Sequence, residues 1–394
     1  MIHRHAARFI RHLLQQFRAG AISAAAAAAE LEISLRRFYG LWHSYLQAVA
    51  RQRAHHWQPG VSGGNRRRCW PEPVTALMRK LLGSRPPCPY SFIASEVHRR
   101  CDLKLHRASV RRWALAQGLA PAGPTAKPAR PVRRWQVQQV GQLWQYDASP
   151  HRWFVGQDWQ PPLLEILDDH SRVITGARLY PRETLLAHLD FLSDTFRAVG
   201  LPLCLYVDYH SFFFTHTPDA LTQLGAALRF YGVSLRYAPT SQAKGKVERV
   251  HLFWQNRLPP LFVAEEVTNI PSANPWIEQL RQHHNRAEHH RELGTTPQRV
   301  WQQAKREGRC VLRPKPACPW WPYVFSQRTG VRVDREGRVS VGSQRLRIEQ
   351  PPGRRVIRCH HYNGDISILQ DPPDPARKPV LLLHYPAPPV PMKV

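Results

Sequence analysis

Apolar positions change their spacing twice along this chain. Within residues 21–46 (AISAAAAAAELEISLRRFYGLWHSYL) an alanine-rich run ends near Leu31, and after a break at 32–34 the residues Leu35, Phe38, Leu41, Trp42 and Tyr45 recur at helical intervals. Ser34 is placed to cap the second helix, which predicts a helix-turn-helix with Arg36 and Arg37 in the first turn of its second helix. The pattern returns over residues 90–119, where Ile93 and Val97 form one stripe, Val110, Trp113 and Ala114 another, and Gly118 a natural stop. Arg107, Arg111 and Arg112 ride on that second helix, available to solvent or to a polyanion. An ordinary helical hairpin fits the first stretch as well, but two such patterns in tandem favour the helix-turn-helix.

Past residue 141 the period shortens. LWQYDAS (143–149), PLLEILDD (162–169) and VITGARLY (173–180) are short runs rich in β-branched and aromatic residues and predict an antiparallel meander. An amphipathic helix over 184–200, a strand LCLYVD (203–208), a helix around 218–231, a strand over 233–238 and a long helix from about 242 to 258 follow. The order βββαβαβα predicts a mixed α/β sheet with helices on it. A further helical stretch covers 276–293, and beyond 325 alternating strands with turns at EGR, PPG and NGD predict a small β-barrel of roughly five strands. The chain thus reads as multidomain, with a tandem helix-turn-helix all-α front, a mixed five-stranded α/β core and a small C-terminal β-barrel. The expected boundaries are 1–57 and 74–120 for the two helical domains, 58–73 for the linker between them, 121–140 for a basic Pro-rich linker and 141–300 for the core. A linker at 301–324, the barrel at 325–370 and a Pro-rich, disordered tail at 371–394 complete the order.

Charge sharpens this division. The 394 residues carry a formal net charge of +28, and only nine of the 56 basic residues are lysine. Arginine's flat fork of donors suits phosphate and base edges. Residues 1–140 hold 24 Lys and Arg against 5 Asp and Glu, 141–300 hold 15 against 16, and 301–394 hold 17 against 7. Two basic arms around a neutral centre fit a polyanion held while chemistry proceeds in the middle.

Seven cysteines with no C-x-x-C pair give neither a disulfide framework nor a zinc pattern, and Cys310, Cys318, Cys359, His360 and His361 match no ligand spacing well. No apolar run reaches the ~18 residues that span a bilayer. The expectation is a protein with free thiols in a reducing compartment, away from membranes.

Within the neutral centre three carboxylates occupy telling positions. Asp147 lies near the end of the first predicted strand, Asp208 ends the strand after the first core helix, and Glu248 sits in the last, within TSQAKGKVERVH. If the first and fourth strands lie side by side, both aspartates emerge at one edge and the helix with Glu248 crosses it. Clustered carboxylates repel unless cations lie between them, and such oxygen donors suit Mg2+ or Mn2+ beside substrate phosphates. Two ions would clamp an in-line phosphoryl displacement. Lys244, Lys246 and Arg249 beside Glu248 are candidates to hold DNA phosphate. The pair Asp168 and Asp169 reads as turn chemistry before Ser171, and His151 and His210 as secondary candidates for proton movement or phosphate contact.

The strings LWQYDAS, LYVDYHSFF and SQAKGKVERVH, in that order and spacing, resemble the three active-site motifs of the retroviral-integrase-type DDE superfamily, and more narrowly of bacterial insertion-sequence transposases. NRAEHHRELGTTPQRVW (285–301) resembles the segment that follows the core in those enzymes. The resemblance implies a ribonuclease H-like core with Asp147, Asp208 and Glu248 as catalytic metal ligands, two Mg2+ or Mn2+ ions, and Lys244 as a DNA contact. It implies a DNA transposase that binds the terminal inverted repeats of a mobile element as a dimer or tetramer and cuts and joins double-stranded DNA. Tyr209 and His210 depart from the Asn-Gly common in relatives. A DNA-binding regulator descended from a transposase and a ribonuclease H-like nuclease are the alternatives.

Overall fold

Ser23 and Ser34 each accept a hydrogen bond from the backbone three residues on, Ala26 N at 3.1 Å and Arg37 N at 3.3 Å, and so start two helices of the first compact unit, Met1–Trp70. The structure is a computed structural model. It describes residues 7–59, 70–119, 136–215, 217, 220–238, 244–342 and 344–387. The linkers expected at 58–73 and 121–140 fall largely outside these residues, as do 239–243 and the end of the tail. In the first unit α1 (Ala7–Arg18), α2 (Ala24–Glu30) and α3 (Leu35–Ala50) close on Ile10, Leu14, Ala27, Phe38, Tyr45 and Trp57. Glu32, with φ of 52°, reverses the chain between α2 and α3. Arg36 and Arg37 are exposed on the first turn of α3.

The second unit, Pro71–Val394, begins with three more helices, α4 (Glu72–Gly83), α5 (Tyr90–Cys101) and α6 (Arg107–Ala116). Asp102 in the left-handed region breaks α5 from α6. Arg107, Arg111 and Arg112 are exposed along α6.

The neutral centre forms β1 (Trp144–Pro150), β2 (Pro162–Asp168), β3 (Ile174–Leu179), α7 (Leu185–Val199), β4 (Cys204–Val207), α8 (Gln223–Phe230), β5 (Ser234–Tyr237) and α9 (Gly245–Gln255). The five strands make one mixed sheet in the order β3-β2-β1-β4-β5, the first three antiparallel and β1, β4 and β5 parallel. The expected mixed five-stranded α/β sheet with helices is thus present. Helix α9 starts later than the predicted 242, with Lys244 at its N-cap, so Glu248 lies in its first turn.

Helices α10 (Leu258–Ala264) and α11 (Ile270–Ala287) complete the sheet's surroundings. α11 begins six residues before the predicted start at 276, across Pro271 and Pro275. It seals the edge strand: Asn285 Oδ1 accepts from Ile174 N at 3.0 Å and its Nδ2 donates to Ile174 O at 2.9 Å, and Asn274 holds Leu179 N and O at 2.8 and 3.1 Å. The side-chain amides take the place of a sixth strand.

The segment expected as a linker at 301–324 belongs to the core. α12 (Pro297–Arg306) buries Trp301 and Ala304, and Trp320 with α13 (Trp321–Val324) buries Trp321 and Val324 in the same apolar cluster as Trp144 and Phe196. Between them Val140 pairs with Cys310, and Leu201 with Arg313. These contacts join residues over a hundred positions apart, and no local period betrays them.

The C-terminal strands are β6 (Gln327–Arg332), β7 (Arg338–Val341), β8 (Gln344–Arg347), β9 (Arg355–His360), β10 (Ile366–Leu369) and β11 (Leu381–Tyr385). Hydrogen bonding draws a four-stranded sheet, β11-β10-β9-β6, and a separate β7-β8 hairpin around Val339, Val341, Val356 and Ile368, where a closed barrel was expected. β11 corrects the expectation of a disordered tail from 371: LLLHY pairs with β10 once past the prolines at 372, 373, 375 and 379.

Candidate active site and its surroundings

Strand register brings two of the three carboxylates together. Gln145 lies opposite Tyr206 in the parallel β1–β4 pair, so two residues further on Asp147 and Asp208 leave the same edge side by side. Lys244 at the head of α9 reaches both, with Nζ 2.7 Å from Asp147 Oδ1 and 3.6 Å from Asp208 Oδ2. The lysine is buried, whereas Asp208 retains 52% of its side-chain exposure and Asp147 16%. One ammonium therefore balances two carboxylates at an edge open to solvent.

Glu248 is exposed, one helical turn after Lys244. By helical period Lys244, Glu248 and His251 share one face of α9, the face turned to the strand ends. Among the described residues no three His, Cys, Asp or Glu side chains are gathered closely enough to hold a metal ion. The structure thus brings Asp147 and Asp208 together at Lys244. A Cβ at Gly245 would meet nothing within 4 Å, so its missing side chain answers no internal packing need.

Two residues that sequence reasoning did not assign complete this edge. Glu165 stands directly opposite Asp147 on β2 and is fully buried. Its Oε2 accepts from Trp254 Nε1 at 2.7 Å, and its Oε1 lies 2.8 Å from His251 Nε2 at an angle outside hydrogen-bond geometry. His251 Nε2 is also 3.8 Å from Asp147 Oδ2. Burial pushes the Glu165 carboxyl up, with His251 and Trp254 opposing. Burial works against the His251 cation, yet Glu165 and Asp147 outweigh it and its pKa is raised. The signal was legible: a glutamate inside the apolar run LLEIL must find a buried partner.

The other basic residues of this stretch point elsewhere. Lys246 Nζ lies 2.5 Å from Oδ1 of the buried Asp169, and Arg249 pairs with Glu292. Both sit on the face of α9 opposite Lys244. Asp168 is the turn residue expected, accepting from Ser171 N at 2.8 Å and Ser171 Oγ at 2.6 Å. Asp169 instead anchors, taking Val137 N at 2.9 Å and Gln145 Nε2 at 2.7 Å besides Lys246. His210 N donates to Asp208 Oδ1 at 3.3 Å, and the His151 ring lies 4.9 Å from Trp153.

The second helical trio is fastened beside this core. Arg99 and Arg100 hold the buried Glu96, Arg100 continues to Glu265 at 2.7 Å, and both guanidiniums lie over Trp276. Ser95 donates to Glu288 at 2.6 Å, which also takes Arg257 at 2.6 Å and lies 2.9 Å from His284.

The mixed sheet thus places two aspartates at the ends of adjacent parallel strands. In sequence the chain is similar to insertion-sequence transposases. A Sinorhizobium fredii protein named as a candidate transposase, y4bF, is 29% identical over 224 residues, 53% of this chain and 49% of that one. The transposase for insertion sequence IS1202 of Streptococcus pneumoniae is 32% identical over 174 residues, 40% of this chain and 36% of its own. The chain thus spans about half or less of the length of the curated relatives it matches. No family model matches. Among solved structures, the HTLV-2 integrase catalytic core domain in complex with magnesium aligns with 41% of this chain and 97% of its own at TM-score 0.34 and 15% identity. The simian T-cell lymphotropic virus intasome in complex with PP2A regulatory subunit B56 gamma aligns with 75% of this chain and 98% of that one at TM-score 0.38 and 14% identity.

Proposed function

We propose that this chain is a DNA transposase that binds the terminal inverted repeats of a mobile element and catalyses phosphodiester hydrolysis and strand transfer at the edge carrying Asp147 and Asp208. The observation that carries this reading is the pair of aspartates held at the ends of adjacent parallel strands by one lysine, in a chain similar to insertion-sequence transposases. Asp147 and Asp208 are hard oxygen donors a few ångströms apart, already sharing a positive charge, and so fit Mg2+ or Mn2+ in type and placement. Glu248, on the same face of α9 as Lys244, would join them as third ligand of two such ions. When bound, divalent ions supply electrostatic stabilisation of an in-line displacement at phosphorus.

The chain's own residues do the rest. Glu165, fixed by Trp254, holds His251 against Asp147 and so orients that carboxylate. Lys244 keeps the two aspartates together and is placed to meet phosphate once a cation takes its position. The exposed Arg36 and Arg37 on α3, and Arg107, Arg111 and Arg112 on α6, would contact the DNA ends as helix-turn-helix modules. Joining two ends calls for a dimer or tetramer on DNA.

The test is a Mn2+- or Mg2+-dependent cleavage and strand-transfer assay on the DNA that flanks the coding sequence. Asp147→Asn, Asp208→Asn and Glu248→Gln should each abolish product while end binding persists and falls steeply with salt. Product from the triple variant would sink the assignment. A DNA-binding regulator descended from such an enzyme is the second reading, favoured by the exposed arginines on α3 and α6. It requires end binding by the wild-type chain with no metal-dependent cleavage.

A further inference from the structure

Successive side chains on β1 face opposite sides of the sheet, so Asp147 meets Lys244 at the head of α9 while Tyr146 meets α7. The residue it finds there is His188, which the proposed reaction does not use. The Tyr146 hydroxyl is hydrogen-bonded to His188 Nδ1, and His188 Nε2 lies 3.3 Å from Glu183 Oε1. Burial pushes the Tyr146 phenol well above its ordinary value, so it keeps its proton and donates to Nδ1. Nε2 is then the ring's donor to Glu183, and this bond holds the Glu183 carboxyl below its ordinary value. Tyr146 and His188 are both buried, and Glu183 forms the outer end of the chain.

The same imidazole supports the segment that follows Asp208. The Phe212 ring packs on it with centroids 4.8 Å apart, and the Phe213 ring at 5.6 Å. Phe213 also meets the Tyr146 ring edge-on at 5.5 Å, and its carbonyl accepts from Tyr237 Oη at 2.8 Å. His210, whose N–H donates to Asp208, has its ring 4.7 Å from that of Phe212. The register of β1 with β4 runs through Trp144 with Leu205 and Gln145 with Tyr206 and stops before the aspartates. Beyond it, side chains on the two faces of the sheet fix how far Asp147 stands from Asp208. Lys244 works on one face and His188 on the other.

We propose that His188 is a positioning residue for the aspartate pair, which sets the spacing of Asp147 and Asp208 through its hydrogen bond to Tyr146 and its ring contacts with Phe212 and Phe213. The inference rests on the reading of those aspartates as metal ligands. Lys244 draws the two carboxylates together while its ammonium lies between them, and a cation entering there displaces it. The hold from the α7 face persists when that happens, so the donors keep their separation in the loaded state. A misplacement of about 1 Å in either donor suffices to slow the reaction about a hundredfold.

Three variants of the full-length protein test it. Tyr146→Phe removes the hydroxyl and keeps the ring contacts, and His188→Leu removes the acceptor and the aromatic ring together. His188→Asn carries an amide oxygen that can accept from Tyr146 in place of Nδ1. Mn2+ affinity is read by electron paramagnetic resonance, kcat and KM by cleavage of the DNA that flanks the coding sequence, and folding by thermal unfolding. His188→Leu should bind Mn2+ about tenfold more weakly and cleave about a hundredfold more slowly, with KM for DNA unchanged. Tyr146→Phe should show the same pattern at about a tenfold loss of kcat, and His188→Asn should recover most of what His188→Leu loses. Wild-type Mn2+ affinity and kcat in both His188→Leu and Tyr146→Phe would overturn the positioning role and leave the proposed function standing. So would a joint fall of kcat, DNA binding and melting temperature that His188→Asn does not rescue, since His188 would then serve packing alone. A wild type that binds Mn2+ and cleaves no DNA would sink the proposed function, and the Mn2+ affinities of the variants would still decide the role of His188. A wild type that binds no Mn2+ would overturn both.

Discussion

The Lys244 ammonium lies 2.7 Å from Asp147 Oδ1, and through it Asp147 is tied to Asp208. A buried lysine in this place does electrostatically what a bound cation would do, and the two cannot share the position. Lys244→Met keeps the length of the side chain and removes the charge. The expected outcome is tighter divalent-ion binding, by about tenfold or ~1.4 kcal/mol, because the ion no longer displaces an ion pair. Titration of Mn2+ followed by electron paramagnetic resonance reads it. An unchanged affinity would mean that the ammonium yields at no cost.

Trp254 fixes the partner of that aspartate. Its indole donates to Glu165 Oε2 at 2.7 Å in a fully buried site. Trp254→Phe keeps an aromatic ring but removes the indole N–H from a buried carboxylate and leaves part of the indole's volume unfilled. Urea denaturation should show a loss of about 3–5 kcal/mol, from the unmet acceptor and the cavity together. A smaller loss would mean that His251 alone satisfies Glu165.

Much of this is legible in the sequence. The sheet strands announced themselves because β1, β2 and β3 are buried and their apolar runs are bounded by turns, and Asp147 and Asp208 stood out as charges at strand ends. Glu165 shows in sequence only as a carboxylate inside an apolar run; its partners His251 and Trp254 lie some ninety residues later, so no local pattern names them. The start of α11 is hidden in sequence because Pro271 and Pro275 read as loop, yet Pro271 sits in the first turn, where a missing N–H costs nothing. The position of Glu248 within α9 depended on where the helix begins, and a glycine at that start obscures the boundary.

Gly141 tests whether the 310–313 segment is structural. With φ of +78° it occupies the left-handed region, and a Cβ there would stand 2.4 Å from Leu312 Cγ. Gly141→Ala therefore combines backbone strain with a clash against a segment that sequence pattern assigns to a linker. Thermal unfolding should register a loss of about 2–4 kcal/mol. A variant as stable as the wild type would show that residues 310–313 move aside freely.

Glu288 makes the junction between the second helical trio and the core dependent on acid. Burial pushes its carboxyl up, but Arg257 and His284 prevail and hold it well below the ordinary value of 4.5. The folded value is depressed, so this group's contribution to stability is fully present above the unfolded value. It is lost as pH falls from about 4.5 through the folded value. Glu288→Gln keeps the shape and abolishes the charge. It should cost about 3 kcal/mol at neutral pH, because Arg257 and His284 lose the anion they share, and the cost should shrink progressively below pH 4.5. Denaturant unfolding of both proteins across that range measures the difference directly. A gap that stays constant down to pH 2 would mean that the carboxylate does not hold this junction together by its charge.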